Sequence, residues 1–543
     1  MYWLILLVLF ISLNAQIRLV EKESLWKYYD EEAYPGNNWF YNHFDDSDWK
    51  TGKGELGYGD GDEQTVLNYG NNNKKKYPTY YFRKEFSNKR FDNFEYLYIN
   101  VKFDDSVVLY LNGREIERKN LPKTEISHET LATEGMAGIS EDKYEKTYFS
   151  KDLLSKLNTV AAEVHQRSLS SSDISFDLEI VATNTPPELV NKEPYLIYAG
   201  KGDYQLIWQL NRKYKAELEY GHNPNELQNK KLINEYNQNY QYSYLFSQPE
   251  NNKKIFYEIE IADKLYRGSF VPYHSSSNKL KFLAYGDTRS YPESHDSVAK
   301  QILKTMEKDP EYQSILVAVG DLVYDGDEKR DWKYQFFDKK FRNIQTMLSS
   351  LPLMSCKGNH ERDGKLFRDY FPYPYEMENS YYWSYDYGPV HFTYIDQYVD
   401  YSPGSEQFKW LVNDLKNTKN EWKIIVLHEP GWSAGGHGNE KAVQKYIQPL
   451  CLKYDVSVVL AGHNHYYARA EVDEVQHVTT GGGGAPLRNP NPQKDNVVKA
   501  AKTLHFCKFN IKNDILLFKA VDNNGLRSEE HTSELQSPLC TSY

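Results

Sequence analysis

Ile315-Leu316-Val317-Ala318-Val319 runs without a polar residue into Gly320-Asp321-Leu322-Val323-Tyr324. An unbroken apolar run of this length, closed by a glycine, reads as a buried strand. A carboxylate and a phenol then arrive together at its carboxyl end. Gly-Asp alone is a common turn, so the stretch gains meaning only because the chain repeats the design. Phe282-Leu283-Ala284-Tyr285 runs into Gly286-Asp287, and Leu351-Pro352-Leu353-Met354 leads to Gly358-Asn359-His360-Glu361. Ile424-Ile425-Val426-Leu427 runs into His428, and Val456-Ser457-Val458-Val459-Leu460 into Gly462-His463-Asn464-His465. Five short strands thus deliver Asp, Asn, His or Tyr, with no thiolate among them. Oxygen and nitrogen donors of this kind suit hard or borderline metal ions.

Between these strands the spacing predicts amphipathic helices. Ser297 to Glu307 carries Val298, Ile302, Leu303 and Met306 on one face, and Phe408 to Leu415 carries Leu411, Val412 and Leu415. Strands alternating with helices predict an α/β domain over 276–526.

The strand-end motifs resemble those of calcineurin-like metallophosphoesterases, and more closely those of the purple acid phosphatase branch. They are GDTR at 286–289, GDLVY at 320–324, GNHE at 358–361, VLH at 426–428 and GHNHYYAR at 462–469. The general superfamily has a metal-binding His in the first motif, where this chain has Arg289, which stays protonated and cannot ligate. The purple branch lacks that His too and uses a Tyr of the second motif, the position of Tyr324. Many purple phosphatases have Gly where Arg289 stands, so its role stays open between a phosphate contact and a carboxylate contact. The resemblance implies two packed mixed sheets flanked by helices. It also implies two metal ions bridged by Asp321. Asp287, Tyr324 and His465 complete the first site; Asn359, His428 and His463 form the second. A phenolate favours Fe(III) in the first site, and ligand type leaves Zn, Mn or Fe(II) open for the second. His360 is expected at the leaving oxygen, as an acid and a substrate contact together with Asn359. His437, nine residues beyond His428, matches a substrate-binding position with the same catalytic expectation. Arg289 is carried as a further substrate contact. Gly481 to Gly484 resembles the glycine-rich turn after the last ligand motif and reads as a flexible loop; it lacks the Lys-Ser/Thr ending of a phosphate cradle.

Upstream, 16–184 reads as one β-rich module. Its marks are Trp26, Trp39, Trp49, alternating strands at 80–86, 96–101 and 107–111, and a hairpin signal at Asn112-Gly113. It resembles a galactose-binding-like jelly roll; a glycan-binding role and a purely structural one both stay open. His165 reads there as a packed or hydrogen-bonded strand residue. After Thr185-Pro186-Pro187, residues 188–275 resemble the fibronectin-III-like domain that precedes the catalytic domain in purple acid phosphatases, with Trp208 as core anchor. The fold expectation is therefore multidomain: two N-terminal all-β sandwiches, then an α/β metallophosphoesterase domain.

The chain has 543 residues, too many for one core, and a net charge of −11, which argues against nucleic acid as the main partner. The apolar run Tyr2 to Leu13 is too short to span a bilayer, and with Leu13-Asn14-Ala15 it reads as a secretory signal over 1–15. The expected location is extracellular or periplasmic, with no transmembrane segment. The four cysteines form no CxxC or zinc spacing. Residues 527–543 match the translation of a common sequencing-adapter oligonucleotide and read as an artefact, which leaves three native cysteines and at least one of them free. The expected function is a secreted acid phosphatase acting on a small phosphomonoester. A phosphodiesterase or nucleotidase of the same superfamily, and a surface glycan-binding protein with a vestigial phosphoesterase domain, are the alternatives. The sequence leaves oligomeric state open.

Overall fold

The computed structural model describes residues 16–87, 94–133, 135–136, 142–273, 278–525 and 535–536. The signal reading of 1–15 and nearly all of the 527–543 tail lie outside them. The chain divides into two compact units, 1–188 and 189–543. Among the described residues no helix is long and apolar enough to cross a membrane.

The first unit is a sandwich of two six-stranded sheets. The first is built around Tyr96–Asp104 and Ile174–Thr183, the second around Thr79–Ser87, Leu157–His165 and Ser106–Leu111. Phe82 and Phe176 stack across the interior with ring centroids 4.1 Å apart. Alternation decides which face each residue takes. Val160, Ala162 and Val164 of Leu157–His165 enter that interior, while Ala161 joins Trp39, Trp49, Tyr81 and Tyr110 on the opposite face. The Asn112-Gly113 turn closes a hairpin in which Leu111 pairs with Arg114. His165 is fully buried, with Nδ1 2.9 Å from Thr79 Oγ1 and 2.7 Å from the Thr130 carbonyl oxygen.

The second unit begins with a three-stranded and a four-stranded antiparallel sheet over 190–270. Trp208 is fully buried and stacks on Tyr242 at 5.8 Å. This region shares one contiguous core with the sheets downstream of it. Tyr195 donates to the Tyr370 carbonyl at 2.6 Å, and Tyr257 to the Ser349 carbonyl at 2.7 Å. Two mixed sheets come next. One orders Leu353–Ser355, Leu316–Ala318, Lys279–Tyr285, His505–Lys512 and Ile515–Asp522, its first three strands parallel. The other holds Val390–Tyr394, Trp422–Val426, Val458–Ala461 and Val475–Thr480 in parallel, with antiparallel strands at both edges.

The residue pattern explains the layering. Ile424, Val426, Val458 and Leu460 point into the core between the sheets. Their neighbours Ile425 and Val459 face a separate cluster with Leu411, Leu415 and Ile447 from the helices outside. Helix Glu406–Asn417 starts at Ser405, whose Oγ accepts the Phe408 amide at 3.1 Å. Helix Pro292–Lys308 opens with proline in its first turn, where no amide donor is needed, and buries Val298 and Ile302. The architecture is the expected one: all-β regions followed by two packed mixed sheets with helices on the outside. Cys356, Cys451 and Cys507 are all buried; Cys356 and Cys451 are free thiols packed as small apolar groups, and the Cys507 thiol is 3.6 Å from Thr480 Oγ1.

Candidate metal centre

Five parallel strands point their carboxyl ends at one edge of the two-sheet core, so residues far apart in sequence converge there. Lys279–Tyr285 leads to Asp287, Leu316–Ala318 to Asp321, Leu353–Ser355 to Asn359, Trp422–Val426 to His428, and Val458–Ala461 to His463 and His465. Three of these residues have left-handed backbones: Asp287 (φ 54), Asp321 (φ 54) and His463 (φ 65). A non-glycine residue holds that conformation only when its surroundings over-determine it. Here the peptide groups interlock. The Asp287 amide donates to the Gly320 carbonyl at 3.0 Å, and the Gly462 amide to the His428 carbonyl at 2.8 Å. The His463 amide donates to both Asp287 oxygens, at 2.9 and 3.1 Å. Gly358 is required by close approach, since a Cβ there would lie 2.3 Å from Asp321 Oδ1.

Two donor groups result. Asp321, His428 and His463 bring ligand atoms within 4.8 Å of one another, and so do Asp287, Asp321 and His465. Asp321 belongs to both. Backbone carbonyls set the histidine tautomers. His428 Nδ1 is 2.7 Å from the Val319 oxygen, leaving Nε2 at 3.2 Å from Asp321 Oδ1 and 3.2 Å from Asn359 Oδ1. His465 Nδ1 is 2.8 Å from the Pro486 oxygen, leaving Nε2 at 3.6 Å from Asp287 Oδ1. His463 turns Nδ1 to Asn359 Oδ1 at 3.0 Å.

Charge explains why such a cluster suits cations. Two fully buried carboxylates lie close together with few positive partners. Burial, and then Asp321, push the Asp287 carboxyl up to about 8. Burial acts in the same direction on Asp321, but His428, His360 and Arg289 outweigh it and hold that carboxyl well below the usual range. Burial opposes the charge on His428, yet Asp321 and Asp287 raise it to about 10. Burial holds His463 and His465 down to about 3, so both are neutral, the form a metal requires. Three imidazoles, of which His428 would give up its proton to a cation, with an amide oxygen and two carboxylates, form a donor set that fits a pair of hard or borderline cations.

The remaining expected residues surround this cluster. Tyr324 is half-buried; its ring lies 5.3 Å from that of His360, and its carbonyl accepts from His360 Nδ1. The His360 amide donates to Asp321 Oδ1 at 3.0 Å, and its Nε2 is 3.9 Å from Asp321 Oδ2. His437 is half-buried with its ring 4.1 Å from that of His463. Arg289 Nε is 3.5 Å from Asp321 Oδ2. The glycine run 481–484 corrects the expectation of a flexible loop. All four residues are buried, and a Cβ at Gly483 would come within 2.4 Å of the Gly286 carbonyl oxygen. The run is glycine because it packs against the backbone of Gly286 and Thr288, on either side of Asp287.

Three supporting residues escaped the sequence reading. The fully buried Glu361 carboxylate accepts from the amides of Asp321 (3.0 Å), Leu322 (2.7 Å) and Gly358 (2.6 Å), and so holds the Asp321 turn against the Asn359 turn. Gln335 Oε1 accepts from the Ser290 and Tyr324 amides at 2.9 and 2.8 Å. Gln397 Oε1 accepts from the His428 amide at 2.8 Å. Glu361 was visible as the last residue of GNHE; the two glutamines carried no local signal.

Comparison with known proteins agrees with this geometry. Residues 280–467 match the calcineurin-like phosphoesterase family. Purple acid phosphatase 21 of Arabidopsis thaliana is 28% identical over 208 residues, 33% of this chain and 46% of that protein. Probable inactive purple acid phosphatase 9 of the same plant is 25% identical over 252 residues, 37% of this chain and 38% of its own length. The chain thus spans less than half the length of these curated relatives. A purple acid phosphatase from yellow lupin (Lupinus luteus) seeds shares the fold, with a TM-score of 0.55 and 18% identity over 84% of this chain and 92% of that one. Residues 280–467 are a calcineurin-like phosphoesterase domain, and the chain that carries it is related to the purple acid phosphatases.

Proposed function

We propose that this chain is an exported, dinuclear-metal phosphomonoesterase. The observation that carries the reading is the sharing of Asp321 by both donor groups. A carboxylate common to two clusters is what a bridged metal pair needs. Asp287, Tyr324 and His465 would hold one ion, with Fe(III) favoured by the phenol. Asn359, His428 and His463 would hold the other, as Zn, Mn or Fe(II). When bound, the ions supply Lewis-acid polarisation of phosphate oxygens and an acidified water. The chain's own residues do the rest. His360 donates Nδ1–H to the Tyr324 carbonyl, so in its imidazolium form the second proton, on Nε2, would be the one passed to the leaving oxygen. Burial lowers its affinity for that proton, which eases the transfer. His437 and Arg289 would bind phosphate oxygens beside the ions. The apolar run Tyr2 to Leu13 supports export. We read 16–184 as a galactose-binding-like module and 188–275 as a fibronectin-III-like domain, neither contributing a ligand.

The test compares hydrolysis of a phosphomonoester panel and a phosphodiester panel by metal-reconstituted protein. The reading requires kcat/KM for monoesters to exceed that for diesters by about tenfold or more. The reverse preference would make it a diesterase, and turnover of neither would favour a vestigial site.

A further inference from the structure

A cation stands at the rim of the metal centre that the proposed reaction leaves unused. Arg488 lies on the segment after the glycine run, and three backbone contacts fix that segment over the ligand loops. The Ala485 amide donates to the Asp287 carbonyl at 2.8 Å, the Arg488 amide to the His465 carbonyl at 3.0 Å, and the Asn491 amide to the Ala434 carbonyl at 2.5 Å. Facing it is Gly436, immediately before His437; a Cβ there would lie 3.4 Å from Arg488 Cδ. Asn464 locks the loop, its Oδ1 accepting the His437 amide at 2.8 Å. The Arg488 side chain therefore lies against the residue preceding His437, whose ring is 4.1 Å from that of His463. After burial, the positive charge of Arg488 is the next influence holding His437 down, so the two groups are near neighbours in charge as well as in space.

The side chain is exposed, and among the described residues its guanidinium makes no hydrogen bond and meets no carboxylate. Two other exposed arginines, Arg267 and Arg342, are paired, with Glu258 at 2.6 Å and Glu193 at 2.7 Å. In a protein of net charge −11, Arg488 thus offers a guanidinium on a fixed backbone beside the candidate metal centre. Its planar fork matches a phosphate or carboxylate in two parallel hydrogen bonds.

We propose that Arg488 binds a second anionic group, phosphoryl or carboxylate, carried by the leaving group of the substrate. The site then favours doubly anionic phosphomonoesters over those with a neutral leaving group. This rests on the phosphomonoesterase reading above and narrows its substrate class.

The experiment measures kcat/KM for glycerol 2-phosphate, 3-phosphoglycerate and fructose 1,6-bisphosphate with metal-loaded wild type, Arg488→Ala and Arg488→Lys. The quantity read is the ratio of each doubly anionic substrate to glycerol 2-phosphate. That ratio should fall about tenfold in Arg488→Ala, through KM rather than kcat, and recover in part in Arg488→Lys. A fall for the bisphosphate alone assigns the subsite to phosphoryl groups, and a fall for 3-phosphoglycerate alone to carboxylates. Ratios within about twofold of wild type in Arg488→Ala would overturn the proposal while leaving the phosphomonoesterase reading intact. If wild type hydrolyses none of the three, that reading fails and this inference falls with it.

Discussion

Arg289 reaches into the first donor group: its Nη2 lies 3.3 Å from His465 Nε2, the nitrogen that is left free when Nδ1 meets the Pro486 carbonyl. Its Nε lies 3.5 Å from Asp321 Oδ2. The guanidinium therefore stands among the atoms that would hold the first ion, one positive charge beside another. We expect Arg289→Met, which keeps most of the length and loses the charge, to bind the first ion more tightly and to be less stable without metal. The drop in Tm on adding a chelator should be larger in the variant than in wild type. Equal drops would mean that Arg289 does not compete with the ion.

Glu361 concerns positioning. Removing its carboxylate strands three buried amides, and each orphaned donor costs on the order of 1 kcal/mol or more. Glu361→Ala should lose about 3 kcal/mol in urea unfolding and hold metal less well. Glu361→Gln, which keeps an acceptor oxygen, should lose less. Identical losses for the two variants would contradict the assigned role.

His391 makes stability depend on pH away from the centre. Its Nδ1 is 2.7 Å from Asp386 Oδ1 and its Nε2 is 2.9 Å from Asp414 Oδ2. Burial opposes its charge, but the two carboxylates win and raise it to about 9. The folded value lies above the unfolded one of about 6.5. The stabilisation is thus fully present below that pH and is lost as pH rises through about 9. Urea midpoints measured from about pH 6 to about pH 9.5 should decline for wild type and decline less for His391→Gln. Parallel pH profiles would count against this.

Tyr324, proposed as a ligand of the first ion, should give the protein a colour. A phenolate on Fe(III) gives a visible charge-transfer band, so iron-loaded wild type should be pink to purple. Tyr324→Phe should lose the band and much of its iron, and still retain a divalent ion on Asn359, His428 and His463. Iron-loaded wild type without the band, or a variant that keeps it, would remove the phenolate from the site.

The convergence of Asp287, Asp321, Asn359, His428, His463 and His465 was legible because each lies just beyond a buried strand. A parallel arrangement collects such strand ends at one edge whatever their separation in sequence. The run Ile424 to Leu427 read only as a buried strand; alternation in the fold sends Ile424 and Val426 to one core and Ile425 to the other. What stayed hidden depends on approach between distant segments. Gln335 and Gln397 act through single side-chain oxygens on amides far along the chain, and a lone glutamine has no pattern to read. The glycine run suggested mobility because its partner, the Gly286 backbone, is distant in sequence; folded, the run is buried. The continuous core joining 189–273 to the later sheets depends on aromatic pairs such as Tyr198 and Tyr387, 5.1 Å apart, which no local periodicity announces.

The central claim is that one carboxylate, Asp321, serves two metal ions that together hydrolyse a phosphomonoester. The most direct measurement is metal content by elemental analysis, read together with turnover of 4-nitrophenyl phosphate, for wild type and Asp321→Asn. Wild type should carry two ions per chain. Asp321→Asn should stay folded, hold fewer, and lose about a thousandfold in kcat, the equivalent of ~4 kcal/mol. A variant that keeps both ions and near-wild-type turnover would contradict the claim.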